Sequence, residues 1–276
     1  MKNAIKTFAI AAVFELAFAS CSNTSSPKIP VQGYYDTSTP SGGETGSGGT
    51  GGGAGGGGTT TTPGENTTAY IGSHKPTETK KVGDIIFSDG SFERLNEILV
   101  MSTYQQSNAV AVIFYVGTSS DILGEKTLGV SLLEEQKVWI SNQNAEGYKD
   151  VAVNESDGTV NTNAIKAKSD YNETNYPAFY WADTYNAKGF SSGWYLPADK
   201  ELKALYDQKA KVNSAIENLK VASNYSPYAT ALGDNIYWTS TQCIVHYAYT
   251  VRFANGEQGQ SLKDTTSRYV RAIRAF

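Results

Sequence analysis

Residues 237–253 read YWTSTQCIVHYAYTVRF, and the strand-like composition of this stretch decides the predicted fold class. Residues 237–238 and 248–253 are rich in aromatic and β-branched side chains, a composition typical of strands. The dipeptide Asn255-Gly256 follows at once and favours a tight hairpin turn. Because residues 269–275 show strand composition again, we expect the last part of the chain to form mainly antiparallel sheet.

The earlier part of the chain adds more strands and then helices. Strands are predicted at residues 82–87, 108–117, 128–133 and 137–140, with an Asp-Gly turn within 88–91. A polar loop with a short helix is expected within 154–175, and a helix over 178–186 lies between Pro177 and Gly189. A longer helical pattern follows Pro197, with a break expected near 209–211. Strands, then two or three helices, then strands predict an α+β domain with a largely antiparallel sheet.

The first 20 residues have the composition of an export signal. Lys2 and Lys6 precede an apolar run that is too short for a membrane span of about 20 residues. Ala19-Ser20-Cys21 resembles a bacterial lipobox, which implies acylation of Cys21 and a lipid anchor in a membrane. The alternative is ordinary signal cleavage near Ala19, with Cys21 unmodified. The first interpretation predicts a lipoprotein of the cell envelope, at the outer membrane or cell surface.

Residues 21–81 are expected to be a disordered tether. About half of the 27 glycines of the chain lie between residues 42 and 64, among Ser and Thr. Such a composition buries too little apolar surface to offset the entropy of ordering. Residues 82–276 then form one domain. The formal net charge of −4 disfavours a nucleic-acid partner.

Three segments carry a resemblance to a known family. Residues 193–197 (GWYLP), 237–241 (YWTST) and 269–276 (YVRAIRAF) resemble segments of the C-terminal domain of the Legionella collagen-like adhesin. Together they cover about residues 177–276. The resemblance implies a C-type-lectin-like fold, of the branch shared with formylglycine-generating enzymes, in exported proteins of which some bind glycans or host surfaces. It assigns structural roles to seven residues: Trp194, Leu196, Pro197, Trp238, Ser240, Arg271 and Arg274.

The chain departs from that family in two places. Ala198 stands where a Ser or Thr often caps the following helix, so Asp199 is expected to cap instead. The glycine tract lacks the strict Gly-X-Y period of collagen, so no trimeric stalk is expected.

Cys243 and His246 are the candidates for chemistry, and the sequence argues against it. On a strand, positions three apart point to opposite faces, so a nucleophilic pair would need a turn or bulge. Zinc requires about four ligands, and His74, placed in the tether, is a poor third. The segments with which animal C-type lectins bind calcium are absent. We therefore expect no enzymatic activity, no metal and no cofactor.

The segment after YWTST is the predicted ligand-binding region, because it is unusually apolar and aromatic. The residues assigned to it are Cys243, Ile244, Val245, His246, Tyr247, Tyr249 and Arg252. The expected partner is a glycan or a protein on a host or neighbouring cell. Two alternatives stay open: a structural or assembly component of the envelope without a soluble ligand, and a surface receptor diversified by a retroelement. Arg271 and Arg274 should face opposite ways, with a carboxylate pairing one of them at the edge of the core.

Overall fold

The computed structural model describes residues 69–97, 100–149, 151–220 and 228–276. The predicted signal, Cys21 and most of the tether lie outside these residues. Eleven strands occur in the described part: β1 Ile85–Phe87, β2 Phe92–Glu93, β3 Ala109–Val116, β4 Thr127–Ser131, β5 Glu135–Lys137, β6 Trp194–Tyr195, β7 Ile236–Ile244, β8 Tyr247–Arg252, β9 Glu257–Leu262, β10 Arg268–Val270 and β11 Ile273–Ala275. Five helices accompany them there: α1 Thr103–Asn108, α2 Gly158–Lys166, α3 Pro177–Asp183, α4 Asp199–Asp207 and α5 Lys209–Glu217. The α+β prediction is confirmed, although the number of helices exceeds the two or three expected.

The first sheet has six strands in the order β2-β1-β3-β4-β11-β6, and all its pairings are antiparallel. Its central strand β3 is buried on both faces. Val112 and Phe114 belong to one core cluster, which also holds the apolar faces of α4 and α5. Ala111 and Ile113 belong to a second cluster, together with α3 and part of the second sheet. This burial on both sides explains why residues 109–114 are continuously apolar rather than alternating.

The second sheet has five strands in the order β5-β10-β7-β8-β9. The strands β7, β8 and β9 form a meander in which each neighbour is antiparallel. Gly256, with φ of 74°, lies in the turn between β8 and β9 and fits the Asn-Gly hairpin prediction. By contrast, β10 pairs with β7 in parallel, at Tyr269 and Tyr237.

The predicted strand over 269–275 is two strands that belong to different sheets. β10 lies between β5 and β7 of the second sheet, whereas β11 lies between β4 and β6 of the first. Arg271 and Ala272 cross from one sheet to the other, and both are fully buried. A composition pattern cannot detect such a crossing, because both halves have strand character. The strand expected at 137–140 is also displaced: β5 covers Glu135–Lys137, while Trp139 and Ile140 donate their backbone N–H groups to the Lys263 carbonyl.

Residues 69–81, which the sequence assigned to the tether before a boundary at residue 82, pack onto the domain in the structure. His74 forms a β-bridge with Phe92, and its ring stacks on the Phe92 ring at 5.0 Å between centroids. Gly72 is buried and donates its N–H to the Ser91 hydroxyl. The Ile71 N–H is bound by the Asp89 carboxylate. The segment contains few apolar side chains, so composition alone assigned it to the tether.

The start of α4 also differs from the expectation. Ala198 is the N-cap, and the Glu201 side chain, not Asp199, accepts its backbone N–H at 2.9 Å. The same carboxylate oxygen accepts the N–H of Gly158 at the start of α2, also at 2.9 Å. Glu201 is fully buried and also accepts the Tyr195 hydroxyl, so one carboxylate ties two helix starts and β6 together. The helix break falls at Gln208, just before the expected 209–211.

Candidate functional site

The candidate site lies on one face of the β7-β8-β9 meander. Strand register places Ile244 opposite Tyr247 and Tyr247 opposite Leu262, with Tyr249 opposite Gln260 in the next pair on that face. We call these five residues the hairpin face. A bulge near the end of β7, between Gln242 and Ile244, turns Cys243 toward Gln260 as well. Cross-strand neighbours of this kind lie close enough to form a continuous surface.

The hairpin face is apolar, aromatic and open to solvent. Ile244 is 54% exposed and Leu262 is 38% exposed, although both are large aliphatic residues. Tyr247 and Tyr249 are half-buried, so each offers ring area together with a hydroxyl. Grouped apolar side chains with polar tips are typical of surfaces that bind another molecule.

Polar groups border these rings. The Cys243 thiol donates to the Gln260 side-chain oxygen at 3.1 Å. A hydrogen bond with Cys243 raises the pKa of Tyr249, and the charges of Glu155 and Asp199 raise it further. Tyr249 therefore stays protonated near neutral pH and can donate its hydroxyl proton to a ligand.

The sequence predicted Asp199 as the cap of α4, whereas in the structure its side chain is directed to β9. Its backbone N–H donates to the Thr241 hydroxyl, which holds the first turn of α4 against β7. Burial raises the pKa of Asp199, and its side chain is hydrogen-bonded to Gln258 on β9. The Oδ1 oxygen is enclosed and accepts no hydrogen bond from the described residues. The sequence did not indicate the contact between Asp199 and Gln258, because it joins the start of α4 to β9, a strand that was not predicted.

Cys243 and His246 do not form a pair. Residues 245–246 form the turn between β7 and β8, and the His246 Nδ1 atom lies 3.3 Å from the Tyr148 hydroxyl. The Cys243 thiol faces Gln260 and Tyr249 instead. The arrangement therefore holds each of the two side chains in a separate hydrogen bond.

Of the seven residues assigned to binding, three belong to the hairpin face and Cys243 borders it at Gln260, while the other three lie apart from it. Val245 packs against the second core cluster, and His246 is directed to Tyr148. Arg252 pairs with Ile236 and Glu257 at the opposite end of β8, in a register that alternates away from Tyr249. There it lines a cleft of about 360 Å³ with Arg268 and Tyr269.

The two tryptophan segments are joined inside the domain. Trp194, Leu196, Pro197 and Trp238 are buried, and the Trp238 indole N–H donates to the Lys137 carbonyl at 2.9 Å. The Ser240 N–H donates to the Pro197 carbonyl at 2.7 Å, while its hydroxyl accepts the Asn161 amide at 3.0 Å. The hydrogen bond from Ser240 to Pro197 therefore joins YWTST directly to GWYLP.

Arg271 and Arg274 have separate environments. Arg271 is fully buried, and its Nε donates to Glu134 at 2.8 Å while its other nitrogens donate to the Ser131 and Thr230 carbonyls. Arg274 has no carboxylate partner among the described residues. Its guanidinium lies over the Phe190 ring at 4.7 Å, and burial lowers its pKa. One arginine therefore binds a carboxylate at the core, as the sequence predicted, and the other packs on aromatic rings.

The described residues include no group of three or more His, Cys, Asp or Glu side chains arranged to hold a metal ion. Nor do they include a helix with the length and apolar character needed to cross a bilayer.

Comparison with known proteins gives a likeness to a solved structure. No protein-family model matches the chain, and no curated protein matches it. A fimbrial protein from Bacteroides ovatus has a similar structure, with a TM-score of 0.54 and 18% sequence identity. The match covers 71% of this chain and 49% of that one, so the chain corresponds to about half of that protein's length. At this identity the likeness concerns the fold alone: an α+β domain with largely antiparallel sheets.

Proposed function

We propose that this chain is a non-enzymatic lipoprotein of the bacterial cell envelope that presents a ligand-binding domain, with the hairpin face as its binding site. The observation that carries the proposal is the exposed group of Ile244, Tyr247, Tyr249 and Leu262 beside an unpartnered Asp199 oxygen. Flat rings can stack on a sugar or on an apolar side chain, while carboxylate and amide groups at the border accept or donate hydrogen bonds. The partner is a glycan or a protein on a host or neighbouring cell.

The fold that we propose is C-type-lectin-like, in the family of the Legionella collagen-like adhesin C-terminal domain. The support is the direct contact between the two tryptophan segments, because residues that hold a fold should meet in its interior. The closing segment YVRAIRAF also holds the fold together, because it supplies one strand to each sheet.

Attachment through an acylated Cys21 would keep the domain at the outer membrane or cell surface. The name of the structurally similar fimbrial protein supports a surface location. Labelling with radioactive palmitate in wild-type and Cys21→Ser strains tests the anchor, and equal labelling of both would contradict it.

A binding screen tests the site. The full chain should bind a subset of immobilised glycans or matrix proteins saturably, and the Tyr247→Ala/Tyr249→Ala variant should bind about ten-fold or more weakly, as expected when central aromatic contacts are lost. Tyr104→Ala is the control, because Tyr104 is 65% exposed and lies on α1. Binding that survives in the double variant would move the site elsewhere.

The fimbrial likeness also favours a second candidate, an assembly component of an envelope structure. In that case the screen would detect no glycan or matrix ligand, and deletion of the gene would instead change the composition of a surface fibre. Electron microscopy of the deletion strain distinguishes the two functions.

A further inference from the structure

Lys263 is a fully buried lysine that the proposed function does not use. It follows β9 directly, and its backbone N–H donates to the His246 carbonyl at 3.1 Å. The Nζ atom lies over two aromatic rings, 4.6 Å from the centre of the Trp139 ring and 5.0 Å from that of Tyr148. Both rings are buried as well, so they shield the nitrogen from water.

The side chain of Gln242 meets the same nitrogen. The Lys263 Nζ atom donates to Gln242 Oε1 at 2.8 Å and to the Tyr148 carbonyl at 2.7 Å. Gln242 is 5% exposed, and its backbone N–H donates to the Ala152 carbonyl, which fixes this part of β7. The amide carbon Cδ is one C=O bond of about 1.2 Å beyond Oε1, so it lies within about 4 Å of Nζ. This is close to the separation of about 3–3.5 Å from which reacting atoms form a bond.

A primary amine and a primary amide that are held together away from water can react with each other. Burial disfavours the charged form of an amine, and the neutral form has the lone pair that attacks a carbonyl carbon. The burial of an ammonium group costs free energy. The product, a secondary amide, is neutral and keeps one N–H, which the Tyr148 carbonyl can still accept.

We propose that Lys263 and Gln242 form an intramolecular isopeptide bond in the folded chain. The Nζ lone pair attacks Cδ of Gln242, the bond between Cδ and Nε2 breaks, and Nε2 leaves as ammonia with one proton from Nζ. The reaction needs no oxidant and no second substrate. The bond joins the end of β7 to the residue after β9, so it closes the meander that carries the hairpin face. It does not depend on the function proposed for that face.

Peptide mass spectrometry of the full chain tests the bond. Trypsin cleaves after Arg252, so Gln242 and Lys263 fall into different peptides. We expect a branched peptide that joins residues 221–252 to residues 253–268 and is lighter than the two linear peptides together by about 17 Da, the mass of one ammonia. Cleavage after Lys263 should be absent because its amine is acylated, while cleavage after Lys203 is the control for complete digestion. The proposal is overturned if the linear peptide 253–263 is released, or if Lys263 is joined to a different residue.

Matched glutamine variants assign the bond to Gln242. Gln242→Met has no carbonyl carbon in its side chain, so it should give only linear peptides. Its melting temperature should fall by about 6–12 °C, as expected for the loss of a cross-link between residues 21 positions apart. Gln136→Met replaces an exposed glutamine on β5 and should keep both the branched peptide and the melting temperature. A branched peptide that persists in Gln242→Met would overturn the proposal, and the peptide map of the wild type decides the question independently of how well that variant folds.

Discussion

At the scale of single residues, Arg271 shows what a buried charge requires. Its guanidinium is fully buried, and it has the Glu134 carboxylate and two backbone carbonyls as partners. Removing one member of such a group leaves the other charge buried without compensation. The sequence predicted a carboxylate for one of the two arginines but could not identify it, because Glu134 lies 137 positions away in the chain.

We expect Arg271→Gln to lower the free energy of unfolding by about 3–5 kcal/mol, since Glu134 would lose its charge partner. Lys203→Gln removes an exposed ion pair with Asp207 and should change the stability by at most about 1 kcal/mol. Urea denaturation of both variants measures the difference. Equal effects would show that the Arg271 pair contributes no more than a surface pair.

His74 should make the stability depend on pH. Hydrogen bonds with Glu78 and Glu97 raise the pKa of His74 above its ordinary value of 6.5. The folded chain therefore binds this proton more tightly than the unfolded chain does. The resulting stabilisation is fully present below about pH 6.5 and is lost as the pH rises through the folded pKa.

Replacement of His74 by Gln should consequently destabilise the protein more at about pH 5.5 than at about pH 8.5. Urea midpoints of wild type and variant at the two pH values give the difference. His246→Gln, which removes a histidine bound to a tyrosine hydroxyl, is the control for loss of an imidazole. A destabilisation by His74→Gln that is the same at both pH values would contradict the linkage.

At the scale of secondary-structure elements, apolar strands were predictable and the polar edge strand was not. The NAVAVIFYVG run became β3, because a strand buried on both faces has an unmistakably apolar sequence. β9 has the sequence EQGQSL, with only Ser261 buried, so no hydrophobic alternation marks it. The hairpin face depends on that strand, because Gln260 and Leu262 complete it. The candidate site was therefore predicted only in the residues from β7 and β8.

The turn between β8 and β9 can be tested at Gly256. A methyl group at this position would meet the Tyr206 ring, and the positive φ of 74° is itself unfavourable for alanine. We expect Gly256→Ala to cost about 3 kcal/mol or more of stability.

Gly124→Ala is the matched control for the turn. Gly124 has a similar φ of 69°, but a methyl group there would meet nothing within 4 Å. Its cost should be about 1–2 kcal/mol, from backbone conformation alone. The difference between the melting temperatures of the two variants measures the cost of the contact with Tyr206. Equal melting temperatures would show that this contact costs no stability.

At the scale of the whole molecule, the domain begins earlier than its composition indicates. Residues 71–74 hydrogen-bond to Asp89, Ser91, Phe92 and Glu93, so they form part of the edge of the first sheet. A chain that starts at Val82 should be less stable than one that starts at Ala69 by about 3 kcal/mol or more, because several hydrogen bonds of about 1 kcal/mol each are lost. Denaturant unfolding of the two chains tests this boundary. Equal stabilities would restore the boundary at residue 82.

The crossing of residues 268–275 between the two sheets sets the order of events when the protein folds. β10 and β11 follow all other described strands in the chain, yet each lies inside its sheet between two neighbours made earlier. Neither sheet can close until these residues have emerged from the ribosome. Pairings between segments so distant in sequence are slow to form, and incomplete sheets expose edges that aggregate. Until residues 268–275 are available, the two sheets therefore keep unpaired strand edges exposed.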